Sequence, residues 1–547
     1  MKPTDEINSV PLIALVLFTF SLSLAILIGN IGFQGDDWWQ FSWPYWFPFP
    51  QSIWEYVKAS SRPIEGIYTV LAFDVFGLNR ILYTLSALIL SACSCLLLAS
   101  TLRRAFPSES TLPVIGAFFA FFLTPVSNLI YMFHTDNSRL SMLFFWISAF
   151  SFQRWAQRSC SWIGLIPPAL FYLLAAFTYE NTTFLLFGVP LLVWPVYIRS
   201  KEAVAKKTFF IRLCTGIIGS FILFVLVRFS VFSGGAVKQS SLIPPIDLVL
   251  KYFSNLIIYA AYPFHDIPRD AVSWLWATPV ALVLAALVFN SLRRSPPSQV
   301  QRLEPWCQGS LYIGMLGVTF VILGMLPYLM AGYNSTIGFT SQSRIYSSAS
   351  FGLAILLASI VVAPAHPRTR ALTHTLAIIA VCLMAAFMAG LRQEWQDAER
   401  QRHRLTRTLL EQAPQVAPGS TFLFLDLQSY ITAGGVVRAV VFQGVDGLGE
   451  WAKILYRNRN VYAYFLYTQG EAFSDGEGRT ASVSPQGVIA RGSVTRGLIP
   501  LDSLIIVKRD ANRLRILDSL SERDHEAAII WEGISKITTN RNLIIRP

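Results

Sequence analysis

The sequence predicts an all-α integral membrane domain of about eleven transmembrane helices over residues 1–391, followed by an extracytoplasmic α/β domain over residues 392–547. Three observations predict this. Hydrophobic residues make up 53% of the chain and its mean hydropathy is +0.48, too apolar for a soluble protein. Apolar runs near the roughly 20 residues needed to cross about 30 Å of hydrocarbon recur from Pro11 to Leu391. After Gly390 the pattern changes to a charged helical stretch and then to short alternating or apolar runs bounded by Gly, Pro and Asp.

The apolar runs fall near 10–31, 81–102, 112–132, 140–153, 162–178, 181–198, 209–232, 272–291, 311–331, 346–364 and 371–391. The first is too long for the core of a signal peptide and lacks a small-residue cleavage site before Gln34, so it reads as a retained helix. With the N-terminus inside, the short loops assigned to the cytoplasm hold Arg103, Arg104, Arg154, Arg158, Arg199, Lys206, Lys207, Arg293 and Arg294, as the positive-inside rule requires. The formal charge of +12 is therefore topological; no basic-aromatic motif argues for a nucleic-acid partner. The six cysteines lie in or beside apolar runs without zinc-like spacing, which implies neither a disulfide framework nor a structural metal.

The same map sends Asp36, Asp37, Glu65, Asp136, Glu180 and Asp270 toward the outer side. Asp36-Asp37 stands among Trp38, Trp39, Trp43, Tyr45 and Trp46, directly after the first apolar run. The aromatics alone read as an interfacial belt. The paired acids need more, because an ionised group near hydrocarbon must be solvated or partnered. The first outer loop, 33–79, is long enough to imply short membrane-lying helices, with 53–59 and 67–76 as its amphipathic segments. Arg62-Pro63 falls between them, and the arginine offers a fork suited to phosphate or carboxylate. The second outer turn carries His134, Asp136 and Arg139; the last two also fit an ordinary ion pair, and the histidine an interfacial packing role. Glu180 lies between two apolar runs with almost no loop to solvate it, so both a functional site and a helix cap fit it. The segment 246–262, behind Pro244-Pro245, reads as an interfacial or re-entrant helix, since counting it as a span would place Arg293-Arg294 outside. Arg344 and Tyr346 stand at the entrance to the tenth run.

Taken in order, GDDWWQ, the Arg-Pro stretch beginning SRPIEGIYTV, FFLTPVSNLIYMF, TYENT and SQSRIYSSASFG resemble motifs of the GT-C class of membrane glycosyltransferases, closest to the protein O-mannosyltransferase-like branch. The resemblance spans most of residues 30–365. It departs from that branch where Thr124-Pro125 stands for His-Pro, where Leu129 or Ile130 stands for an acid, and where Tyr179 precedes Glu180 in place of lysine. It implies a GT-C-like fold and transfer of a sugar from a polyprenyl-phosphate donor to a glycan, lipid or protein acceptor, at the outer face of a bacterial inner membrane. The resemblance implies catalytic roles for Asp36, Asp37 and Glu180, with Arg344, Arg62 and Tyr346 on the donor phosphate and Asp136, Arg139 and His134 in support. The chemistry needs a base for the acceptor hydroxyl, which a carboxylate of Asp36 or Asp37 fits, and cations for the departing phosphate. The resemblance implies no definite cofactor; a divalent metal held by Asp36, Asp37 and Glu180 stays open. Two other readings share these features: a lipid-linked polysaccharide polymerase or ligase, and a lipid-linked-oligosaccharide flippase. The last predicts charges at mid-helix depth.

Overall fold

The computed structural model describes residues 9–29, 31–33, 36–123, 128–158, 160–200, 204–231, 246–294, 309–332, 341–364, 366–425, 430–433, 436–441, 445–466, 481–484, 487–490, 497–510, 513–517 and 543–545. Its helices are α1 (Ser9–Ile28), α2 (Asp36–Trp46), α3 (Gln51–Ser60), α4 (Pro63–Phe76), α5 (Arg80–Ala105), α6 (Leu112–Phe122), α7 (Asp136–Gln157), α8 (Ile166–Thr178), α9 (Val189–Ile198), α10 (Lys206–Val231), α11 (Ile246–His265), α12 (Ala271–Arg294), α13 (Ser310–Met330), α14 (Ser347–Val362), α15 (Pro367–Gln412) and α16 (Val445–Leu455). Among the described residues eight helical segments are long and apolar enough to cross a membrane, which makes the chain an all-α integral membrane protein in this part. Among the described residues the other three apolar runs are helical in part. They become α6 and α8, which are shorter, and α7, whose first turn is charged. Thr124-Pro125 and Pro244-Pro245 lie outside the described residues.

The chain divides into two compact units, residues 1–30 with 50–392, and residues 31–49 with 393–547. In the first, α6 is buried on every face, and Trp146 of α7 stacks on Phe320 of α13 at 5.9 Å and lies 5.8 Å from Phe351 of α14. Helices α13 and α14 meet almost backbone to backbone. A Cβ at Gly317 would stand 2.7 Å from the Leu356 nitrogen, and one at Gly324 would stand 2.6 Å from that of Ala349. Small residues let membrane helices approach this closely, so that dispersion does the work that water exclusion does elsewhere. The outward faces carry Ile218, Leu226 and Phe229 on α10 and Leu275 and Leu282 on α12, as lipid contact requires. On α11, Tyr252, Leu256 and Tyr259 are buried while Leu250 and Ile257 are exposed, a two-faced pattern.

In the second unit, β1 (Gln415–Val416), β2 (Thr421–Leu425), β3 (Tyr430–Ala433), β4 (Val436–Val440), β5 (Tyr462–Leu466), β6 (Ala481–Ser484), β7 (Gly487–Ala490), β8 (Gly497–Pro500), β9 (Leu504–Asp510), β10 (Arg513–Ile516) and β11 (Ile544–Ile545) form the strands. A four-stranded sheet runs β10-β9-β2-β5. Strand β2 is parallel to both β5 and β9, with Thr421 opposite Tyr462 and Leu504. Parallel neighbours need a crossover, and α16 supplies one between β2 and β5. Residues 31–49 fall in this unit for a physical reason. The Phe33 ring packs on Trp38 and Phe41, the Arg402 guanidinium donates to the Phe33 carbonyl, and Arg459 covers the rings of Trp46 and Phe47. The first outer loop is thus divided between the two units at Pro50.

Candidate functional site

Among the described residues of the first unit a group of charges forms around the turn between α3 and α4. Ser61 ends α3 in the left-handed region (φ 59°), its N–H bonded to the Val57 carbonyl at 2.7 Å. Pro63 then starts α4 at its first position, where a missing N–H is harmless, so Arg62 becomes the residue between the helices. Its guanidinium reaches Glu180, with Nε 3.0 Å from Oε2 and 3.3 Å from Oε1, and Nη2 3.0 Å from Oε2. Nη1 lies 3.4 Å from Oε2 of Glu65, and the guanidinium lies over the Tyr179 ring at 4.5 Å. Burial works against the charged form of Arg62, but Glu180 and then Glu65 outweigh it and hold the group charged.

From α10, Arg228 donates through Nη2 to Glu180 Oε1 at 2.9 Å and through Nη1 to the carbonyl of Ser61. Glu180 is therefore shared by two arginines. The Arg62 and Glu180 side chains are 30% and 32% exposed, so the cluster is open to a solute. Glu65, in contrast, is buried and tied on its other side, accepting from Tyr56 and Asn137, each at 2.9 Å. Burial, reinforced by Glu65, keeps the Tyr56 hydroxyl protonated and donating.

A second, buried pair continues the network. Arg139 Nη1 lies 2.7 Å from Asp136 Oδ1 and 3.2 Å from the Thr135 hydroxyl, while Tyr68 donates to Asp136 Oδ2 at 3.0 Å. Asp136 and Arg139 are 1% and 3% exposed in their side chains, a shielded ion pair. His134 is buried in the adjoining 3-10 turn.

Arg344 is half-buried and near enough to act electrostatically on the Tyr328 hydroxyl, a group also within reach of Arg62 and Tyr179. Tyr346, two residues on, is fully buried between Tyr252 and Tyr259, at 5.6 and 5.3 Å ring to ring, a position that packs α11 against the start of α14. Asp36 and Asp37 belong to the second unit and head α2. Asp36 is half-buried. Asp37 is fully buried and acts electrostatically on Arg402, which pairs with Glu399. Among the described residues no group of three or more His, Cys, Asp or Glu is placed to hold a metal.

The residues that sequence reasoning left out of the site are Glu65, Arg228, Tyr56, Tyr68 and Asn137. Two had a signal: Glu65 follows Arg62 by three positions, a helical neighbour, and Arg228 is a lone charge at the end of an apolar run. No family model matches the chain, and no curated protein is significantly similar to it.

Proposed function

We propose that the protein is a GT-C-like membrane glycosyltransferase of about eleven crossings, moving a sugar from a polyprenyl-phosphate donor to an acceptor at the outer face of the membrane. The observation that carries this reading is the open Arg62–Glu180–Arg228 cluster, built where apolar helices end. Arg62 precedes α4, Glu180 begins the 3-10 segment Glu180–Gly188 and Arg228 lies in the last turn of α10. Charges at helix ends suit a headgroup whose tail lies in hydrocarbon, whereas a translocation path calls for charges at mid-span.

In this reading the acceptor oxygen attacks the anomeric carbon, the bond from that carbon to the phosphate oxygen breaks, and polyprenyl phosphate departs against Arg62, Arg228 and Arg344. Asp36 takes the acceptor proton, and its partial exposure suits that role better than the buried Asp37. Glu180, with its oxygens occupied by three guanidinium N–H groups, orders the arginines and is unsuited to be a base.

The test uses purified protein in detergent with a set of polyprenyl-phosphate hexoses and an envelope-glycan extract, following release of polyprenyl phosphate. Release should require protein and fall at least about 100-fold in Arg62→Ala, the scale on which charge stabilisation of a leaving group acts. Absence of release from every donor would overturn the reading.

A further inference from the structure

A guanidinium fork matches phosphate oxygens as well as it matches a carboxylate. Among the described residues of the cluster only Glu180 is shared by Arg62 and Arg228, and beyond its own backbone N–H its carboxylate is held by these two residues. Glu65 is anchored independently by Tyr56 and Asn137. One carboxylate can therefore leave while the rest of the frame stays in place. Arg228 also holds the Ser61 carbonyl, so the fork remains aimed at the turn that carries Arg62.

We infer that Arg62 and Arg228 form a phosphate monoester site that Glu180 fills in the resting protein, acting as an internal substitute for the ligand. The inference rests on the phosphate-donor reading and adds a charge argument to it. A polyprenyl-phosphate sugar is a diester of charge −1, equal to Glu180, whereas the departing polyprenyl phosphate is a monoester carrying about −1.5 to −2 near neutral pH. Glu180 thus competes evenly with the donor and loses to the leaving group. The arginines are released to phosphate as charge develops on it, which favours the transition state over the bound donor.

The probe is farnesyl phosphate, titrated into detergent-solubilised full-length protein by calorimetry, with farnesol and inorganic phosphate as comparison ligands. Glu180→Gln should bind farnesyl phosphate about tenfold more tightly than wild type, and Arg228→Gln about tenfold more weakly, with farnesol binding unchanged in both. Glu180→Ala, which leaves no amide beside the arginines, should tighten binding in the same way. A monodisperse gel-filtration profile checks the fold of each variant. Farnesyl phosphate binding more tightly than inorganic phosphate assigns the site to a lipid headgroup; equal affinity assigns it to free phosphate. Unchanged or weaker binding in the folded Glu180 variants overturns the inference, and so does undetectable binding of both phosphates. Sugar transfer persisting alongside either result would leave the glycosyltransferase reading intact.

Discussion

The two acids of the GDDWW stretch are adjacent in sequence and unlike in surroundings, and that difference separates their expected effects. Asp36→Asn should lower turnover by about 100- to 10,000-fold, the usual worth of a positioned base, with the wild-type melting temperature retained. Asp37→Asn should instead lower stability by about 1–3 kcal/mol, because it removes a buried carboxylate whose charge acts favourably on Arg402. Thermal melts and rates of both variants decide this, and the reverse pattern would exchange the two roles. A further residue-scale outcome concerns Asp270. It accepts from the Ser273 backbone and hydroxyl at the start of α12 and pairs with Arg392 at 3.0 Å. Burial opposes the charged carboxylate, but the Ser273 hydrogen bonds and then Arg392 overcome it and hold its pKa below the ordinary 3.8. Stability from this group is therefore complete above about pH 3.8, the value of an unperturbed aspartate, and is lost as pH falls through the lower folded value. Melting temperature measured down that range should drop for wild type and respond less steeply in Asp270→Asn; parallel curves would refute the assignment. At this scale the sequence disclosed residue types better than partners. Glu180 and Arg62 are both conspicuous, but that they bind each other depends on a contact across 118 positions, which no local spacing encodes.

Among the elements, the seam between α13 and α14 gives the sharpest expectation. Because a Cβ at Gly324 would meet backbone of Ala349, no rotamer change can relieve a larger side chain there. Gly324→Leu should destabilise the protein by more than the roughly 1–3 kcal/mol typical of overpacking, whereas Gly219→Leu, on an open face of α10, should be nearly neutral. Melting of the two variants in the same detergent tests the contrast. Hydropathy made the helices legible because it reports on the solvent around each segment, and among the described residues eight of the apolar runs coincide with helical segments long and apolar enough to cross a membrane. It was less informative for α2, α3 and α4, where length in the loop implied short helices without fixing their limits. It also gave no warning that α15 runs unbroken for 46 residues, since an apolar stretch and a charged one can share a single ladder of backbone hydrogen bonds.

For the whole molecule, the proposed orientation places the second unit outside the cytoplasm. A fluorescent protein that matures only in the cytoplasm should stay dark when fused after Pro547, and external protease should cleave the second unit in spheroplasts; bright, protected fusions would reverse the topology. The proposed orientation rests on charge bias along the chain alone, whereas the grouping of residues 31–49 with residues from 393 onward was hidden, because it depends on aromatic contacts between distant positions. The glycine seam has a consequence for how such a chain is inherited. Lipid-facing positions can exchange one apolar side chain for another over generations with little penalty, so overall similarity between descendants erodes quickly. Positions 317 and 324 cannot drift in that manner, nor can Gly352 of α14, where a Cβ would meet the Val321 nitrogen of α13, because each change there requires two helix axes to move apart together. Ancestry in this lineage should therefore outlast general resemblance as a sparse register of small residues, and a search keyed to that register would reach relatives that bulk comparison misses.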